Sequence, residues 1–437
     1  MYVIYDIILH LSILALTPYF LIKMLSAGKY RSGIPERFGI IKDGKLKAVR
    51  GGRIAWFHAV SVGETKAVLP LVKAFREKNP GTKIVFSTVT KTGHRVAKKE
   101  GALLIDTLIY FPLDLSWIAR SVVRRLNPCV FIVVEKELWP NLIRHLRDRS
   151  IPVVVVNGTL SERSFERYRR FSFLFGKMFR SLSAFCARTG EDAKKALTLG
   201  VERRRVVVTG NLKFDMEPRP LDAAERELLV RSLGIGPEDR VIVAGSTHSG
   251  EEKVLLDAFK RLKGEFKRLK IVLAPRHPER FDEVESIVRA SGLPYIRRSR
   301  GAKDSGHDVV ILDTIGELGM VYSLATAAFV GGTLVDTGGH NLFEPALYGK
   351  PVLYGPYLRD YLYMAEILEK EGASFRVKEG DLACRLKTLL KDHGLRAEMG
   401  RAAARVVESN RGATARTLDV IEAVTAGRTP AAAEGAG

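Results

Sequence analysis

Polar residues able to do chemistry stand at the ends of short apolar runs. Gly338-Gly339-His340-Asn341, with Glu344 three positions on, follows the run 325–330 and a first glycine pair, Gly331-Gly332. Glycine lets a chain approach a phosphate closely, and the unpaired first-turn N–H groups of a following helix then face it. Gly245-Ser246-Thr247-His248, after the run 241–244, is a second helix start of this kind. Arg276-His277, after the run 270–274, adds a guanidinium able to hold a phosphate bidentately, while His277 serves either a ligand or only its turn. Glu251 and Glu252 suit a helix start as partners of its dipole. In the N-terminal half, His58 closes the run 53–58 ahead of Ser61 and Glu64. Glu135 and Glu137 follow the run 130–134 and point the same way on an extended chain, which suits acid/base work or a buried network.

Other chemistries lack their signatures. The sequence has no P-loop GKS/T, no HExxH, no GxSxG and no GxGxxG after its first strand. Its three cysteines, Cys129, Cys186 and Cys384, have no CxxC or Cys/His ligand spacing, which reads as a reducing compartment without disulfides or structural zinc. Across 437 residues, 70 Lys and Arg stand against 49 Asp and Glu, a balance of +21. Such a field suits nucleic acid, an anionic membrane surface or a phosphorylated substrate.

The elements that must position these residues alternate. Short β-branched runs at 53–58, 83–88, 130–134 and 152–156 are separated by helical patterns, which predicts a parallel sheet with helices on both faces. The pattern breaks at 211–220, NLKFDMEPRP, read as a linker, and restarts with strands at 241–244, 270–274, 309–312 and 351–354. Helices at 381–390, 396–409 and 413–424 close the second half. Two doubly wound halves leave a cleft at the carboxyl ends of their sheets, where such folds bind ligands.

Ahead of these halves, residues 2–22 form an apolar stretch about long enough to cross a bilayer, although Asp6, His10 and Pro18 make it a poor spanning helix. The basic residues that follow, Lys23, Lys29, Arg31, Arg37 and Lys42 to Arg53, place the next domain on the cytoplasmic face. The stretch reads as an anchor that spans or lies in the interface, or as a buried first helix. Residues 161–180 interleave arginines with Phe165, Tyr168, Phe171, Phe173, Phe175 and Phe179. This suits a membrane interface, single-stranded nucleic acid or an aromatic core face, and the upstream anchor favours acidic lipid over nucleic acid.

Together the motifs resemble a family. Glu36-Arg37-Phe38-Gly39, His58 to Glu64 (HAVSVGE), Glu137 to Asn141 (ELWPN), Gly210 to Asp215 (GNLKFD), Gly245 to His248, Pro275 to Pro278 and Gly338 to Pro345 (GGHNLFEP) are similar, in this order, to the 3-deoxy-D-manno-oct-2-ulosonic acid (Kdo) transferases. One departure is Lys136, where a small polar residue is expected. The resemblance implies an α/β fold of two Rossmann-like domains, the GT-B architecture, with an N-terminal membrane-anchor helix. The expected division is anchor 1–25, acceptor-binding domain 26–215, CMP-Kdo-binding domain 216–425 and a disordered tail 426–437. It further implies an inverting, metal-independent transfer of Kdo from CMP-Kdo to a lipid A precursor in lipopolysaccharide core biosynthesis, with no cofactor and no nucleic acid partner. The enzyme then works at the anionic surface of the cell inner membrane, on its cytoplasmic face. On this resemblance Glu36 is the general base and Glu137 a supporting acid. The donor is held by Ser246, Thr247, His248, Arg276, His277, Gly338, Gly339, Asn341 and Glu344. Acceptor or other anions meet Arg37, His58, Ser61 and Lys213. Another GT-B sugar-nucleotide enzyme, a glycosyltransferase or epimerase, and a non-catalytic membrane-attached polyanion binder are the rival readings.

Overall fold

The computed structural model describes residues 2–27, 32–217, 221–301, 306–359 and 361–429. Residues 218–220 of the expected linker, 430–437 of the expected tail, Lys29, Arg31 and the side chain of Lys23 lie outside the described residues. The chain divides into two compact units, Met1–Met216 with Asn410–Gly437, and Glu217–Ser409.

In the first unit, seven parallel strands form one sheet. They are β1 (Arg53–His58), β2 (Thr82–Thr88), β3 (Thr107–Tyr110), β4 (Val130–Val134), β5 (Val153–Gly158), β6 (Ala184–Ala187) and β7 (Val206–Val208), in the spatial order β3-β2-β1-β4-β5-β6-β7. The runs in β4 and β5 are buried along their whole length, as central parallel strands covered on both faces must be. Side chains alternate between two cores. Trp56, Val85, Phe131 and Val155 enter one, and Phe57, Ile84, Ile132 and Val154 the other.

The second unit repeats the plan with β8 (Arg240–Thr247), β9 (Leu269–Pro275), β10 (Tyr295–Arg297), β11 (Val309–Ile311), β12 (Ala327–Val330), β13 (Val352–Tyr354) and β14 (Ser374–Arg376). Their order is β10-β11-β9-β8-β12-β13-β14, again with parallel pairing. In both units the strand order reverses at the first strand, β1 or β8, so loops of opposite hand part there and leave the carboxyl ends of the neighbouring strands open. The short strands β6, β10 and β14 have no counterpart in the sequence reading, because three or four residues carry too little alternation to be recognised.

Two expectations are corrected. The helix Ala413–Thr425, read as closing the second half, belongs to the first unit. Ala413, Leu418 and Ile421 complete its second core, and the Asp215 carboxylate accepts Gly412 N–H at 2.7 Å and Thr414 N–H, holding the helix start. The first part of the stretch read as a linker is likewise core. Leu212 and Phe214 are buried, and Asn157 Oδ1 accepts Leu212 N–H at 3.0 Å.

The N-terminal stretch is a helix, α1 (Tyr2–Ala27). Among the described residues no helix is long and apolar enough to cross a membrane. Asp6, which looked like a flaw in a spanning helix, docks α1 on the first unit. Its Oδ1 accepts Ser116 N–H at 2.9 Å and Asn141 Nδ2–H at 2.8 Å, while Tyr5 donates to Asp114 Oδ2 at 3.0 Å. Leu9 and Ile13 pack on the core behind them, and Ile4, Ile7, Ile8, Leu11 and Leu14 are exposed.

The basic-aromatic segment becomes two helices, Glu162–Arg170 and Ser172–Arg180. Tyr168 packs edge-on against Phe175 and Phe179 with centroids 5.0 and 5.3 Å apart, so most of its aromatic surface is core, while Phe171 and Phe173 stay exposed.

Asp6→Ala leaves two donors without their acceptor and is expected to cost about 1–3 kcal/mol in the first unit. Faster amide exchange at Ser116 with unchanged exchange in the second unit checks it, and unaltered exchange at Ser116 would refute the docking role.

Candidate active site

In the second unit the loops after β8, β9 and β12 meet around Glu251. The helix Glu251–Lys263 starts just past β8, and this turns the fully buried Glu251 carboxylate toward the first glycine pair. Oε2 accepts Gly332 N–H at 2.7 Å and His248 N–H at 2.9 Å, and Oε1 accepts Thr333 N–H and Leu334 N–H, both at 2.9 Å. The donors expected to cradle a phosphate after Gly331-Gly332 are therefore consumed by an internal anion. Burial raises the Glu251 carboxyl pKa, opposed by these four bonds. Glu252, also buried, takes Thr247 Oγ1–H at 2.8 Å and Arg280 at 2.7 Å, so the Thr247 hydroxyl serves the loop.

The residues that remain available lie at the strand ends. Ser246 sits in the left-handed region at φ 56, a strained conformation for a non-glycine residue. It follows Gly245, where a Cβ would meet the Tyr322 hydroxyl at 1.9 Å. Arg276 and His277 are exposed at the end of β9, and Arg276 has no carboxylate partner among the described residues. His248 meets His340 through an Nε2–Nε2 hydrogen bond of 2.8 Å, one ring donating and the other accepting, with His277 edge-on at 5.3 Å. Burial pulls His340 down to about 3, helped by Arg276 and His248, so this ring is neutral near pH 7. Gly338 and Gly339, at φ 97 and 79, form a turn that other residues rarely adopt. Asn341 Oδ1 accepts Phe343 N–H at 3.1 Å, holding the short helix that carries the half-buried Glu344. His340, named only as part of its motif in the sequence reading, is thus the ring that orients His248.

In the first unit, Glu36 lies on the one-turn helix Ile34–Arg37 and is buried. Its Oε1 receives Lys45 Nζ–H at 2.5 Å and its Oε2 Tyr110 N–H at 2.8 Å. Lys45, read as one of a membrane-facing basic run, thus turns inward. Arg37 donates to Val89 O at 2.5 Å and lies 5.0 Å over the Tyr110 ring.

His58 is completely buried, its Nδ1 3.0 Å from Ser87 Oγ and its ring stacked at 3.8 Å on Phe111. Burial pulls it down to about 3. A neutral, enclosed imidazole has no access to an anion, which corrects its expected role. Ser61 caps the helix Val62–Lys78. Its hydroxyl accepts Glu64 N–H at 3.3 Å, and Glu64 Oε2 accepts Val60 N–H at 2.7 Å.

Beside this cap, three carboxylates gather. Burial and then the neighbouring Glu135 push Glu64 up to about 7. Glu135, at φ 62, binds Lys213 at 3.3 Å. Burial opposes its ionisation, but Lys213 and Arg188 outweigh it and hold the carboxyl below its usual range. Glu137 is raised by burial and by Glu135, and its half-exposed carboxylate has no hydrogen-bond partner among the described residues. Asn157, also left-handed at φ 54, reaches Glu135 at 3.5 Å. Asn157 and Arg188 escaped the sequence reading, and Lys45 entered it only as part of a basic run, because nothing in their local spacing announces the long-range contacts that define them.

A 3-deoxy-D-manno-octulosonic acid transferase of Haemophilus influenzae is 34% identical over 401 residues, covering 90% of this chain and 92% of that one. This chain belongs to the Kdo transferase family. The family model described as 3-deoxy-D-manno-octulosonic-acid transferase matches residues 32–216 of this Kdo transferase. The enzyme of Chlamydophila psittaci is 33% identical to it, over 89% of this chain and 88% of that one. In fold, this glycosyltransferase is similar to a crystal structure of a putative UDP-N-acetylglucosamine 2-epimerase from Listeria monocytogenes (TM-score 0.61, 14% identity, 87% of this chain and 99% of that one). It is also similar to Anabaena HepE in complex with UDP and glucose (TM-score 0.59, 13% identity, 86% and 100%). These likenesses give the Kdo transferase its two parallel-sheet α/β units, the GT-B pattern.

Two outcomes follow for the buried carboxylates. Glu251→Ala strips four N–H groups of their acceptor and is expected to destabilise the second unit by roughly 3–5 kcal/mol. A urea titration showing a loss below about 1 kcal/mol would contradict its structural role. For Glu64, the raised folded pKa makes the protonated form the stabilising one. That contribution is complete below the ordinary value of 4.5 and is lost as pH rises through about 7. Glu64→Gln, which preserves the cap, should therefore gain stability relative to the parent between pH 5 and pH 8. A flat difference in melting temperature across that window would exclude the assignment.

Proposed function

We propose that this Kdo transferase moves Kdo from CMP-Kdo to a sugar hydroxyl of a lipid A precursor, in lipopolysaccharide core assembly, by inverting displacement without a metal. The likeness to Kdo transferases over nine-tenths of the chain carries this reading. In the second unit, Arg276 and His277 meet the donor's negative charge with His248, whose ring is oriented by His340. Ser246 supplies a polar group at the end of β8, Gly338-Gly339 lets the chain approach the donor, and Asn341 and Glu344 address phosphate and ribose. The leaving CMP then departs into a field set mainly by side chains, since Glu251 already occupies the first glycine loop.

In the first unit, Glu36 takes the proton of the attacking hydroxyl. Its Oε1 exchanges Lys45 for the acceptor, and the displaced Lys45 ammonium stays beside the acceptor's own negative groups. Lys213 holds Glu135 ionised, and Glu137 supports the acceptor half. A second reading has one observation in its favour. Glu137 is partly exposed, raised in pKa and without a hydrogen-bond partner among the described residues, as a base ready for an incoming hydroxyl would be. The exposed row Ile4, Ile7, Ile8, Leu11 and Leu14 supports α1 as an interfacial anchor on the cytoplasmic face of the inner membrane, where the acceptor's acyl chains lie.

The test is transfer of radiolabelled Kdo from CMP-Kdo to a tetraacylated lipid A precursor. Glu36→Ala should lower turnover by at least about 100-fold with CMP binding unchanged. Retained turnover in that variant, with loss in Glu137→Gln, would move the base to Glu137. No product from the folded parent would reject the donor and acceptor pair.

A further inference from the structure

Between α1 and the body of the first unit lies a pocket of about 510 Å³ that none of the donor or acceptor roles uses. Ile7 and Leu11 of α1 line one side, and Tyr2, His10, Ser116 and Arg144 bring polar groups to it. Ser116 opens the helix Ser116–Leu126, and Arg144 stands on Pro140–Arg147, the two helices on which Asp6 docks α1.

Arg144 is the telling residue. It is half-buried, donates to Ser116 Oγ at 2.6 Å and lies 4.9 Å over the Tyr2 ring. It has no carboxylate partner among the described residues, and its Nε is buried without a hydrogen bond. Its neighbour Arg147, also over Tyr2, is neutralised by Asp148 at 2.7 Å. Asp6 lines the pocket as well, but its charge is already met by Ser116 N–H and Asn141 Nδ2–H, with His10 3.7 Å away. Arg120, one helical turn beyond Ser116, adds a second positive charge on that face. A cation without a counter-ion, at the mouth of a pocket continuous with an exposed apolar row, calls for an amphiphile with an anionic head. The adjacent Trp117, 56% exposed, has the amphipathic side chain that favours the headgroup level.

We propose that this pocket seats the phosphate headgroup of an anionic bilayer phospholipid, with Arg144 holding the phosphate and Ile4, Ile7 and Leu11 lying against the acyl chains. The seat rests on the reading of α1 as an interfacial anchor and adds to it a stereospecific contact that fixes how the first unit is turned on the membrane. Arginine suits this contact because its planar fork meets two phosphate oxygens at once, which a lysine cannot do.

The experiment measures binding of the full chain to phosphatidylcholine vesicles with and without phosphatidylglycerol. Arg144→Gln should reduce the gain that phosphatidylglycerol gives by well over the roughly fivefold that the bare charge of one basic residue at a surface is worth. Arg144→Lys, which keeps the charge, should lose most of that gain too, and Arg124→Gln, an equal charge change on the exposed face of the neighbouring helix, should lose little. Unchanged CMP binding and melting temperature identify variants that remain folded. Wild-type affinity in Arg144→Lys, or an equal loss in Arg124→Gln, would overturn the seat in favour of diffuse attraction. Binding of the parent to both vesicle types alike would remove the seat and leave the anchor. Binding to neither would remove the anchor as well.

Discussion

Four backbone N–H groups from two loops converge on the carboxylate of Glu251, and the end of the second sheet is organised by that convergence. The loop after β12 turns through Gly331 and Gly332 with its amides pointing inward. Buried amides without an acceptor would cost more than the turn can supply. An internal anion therefore fixes the loop whether or not a ligand is present. Its consequence is chemical, since these amides have no free donor left for a ligand, whereas the guanidinium of Arg276 is exposed at the end of β9.

The first unit uses the same device with different residues. Asp114 accepts Asn141 and Leu142 N–H, Asp215 holds the start of the helix Ala413–Thr425, and Glu64 closes its cap over Val60. Each carboxylate sits at a helix start, where the dipole favours negative charge, and those of Asp114 and Asp215 join segments distant in sequence. The cost falls on ionisation. Asp114 and Glu64 are both pushed up to about 7 by burial, so part of the unit's acidic inventory changes charge near neutrality. Only Glu135, held ionised by Lys213 and Arg188, escapes this within the cluster.

The basic balance of +21 also acquires a different distribution from the one composition suggests. Lys45, Lys213, Lys263, Arg280 and Arg297 spend their charge on internal carboxylates. Arg276 and Arg144 have no such carboxylate among the described residues, and they stand in two different places, one at the end of a sheet and one beside α1. Charge left unpaired in a folded chain says more about binding than the sum over its residues, because an internal pair has no field to offer a ligand.

The two parallel sheets are legible in the chain, because β-branched runs buried on both faces and spaced by helical periods admit few other folds. The family is legible there too, through motifs whose order along the chain is specific. The sequence placed Arg276, His277, Ser246 and Glu137 at strand ends, where the alternation of β and α puts them. It took the folded chain to show that His58 is core, that Glu251 takes the glycine-loop amides, that Lys45 pairs with Glu36 and that the last helix returns to the first unit. Each of these depends on contacts between residues far apart in the chain, and hydrophobic periodicity records which face of an element is buried but not which element covers it. Asp6 illustrates the difference. In the sequence it is a charge spoiling an apolar helix, and in the fold it is the acceptor that fastens that helix to the protein.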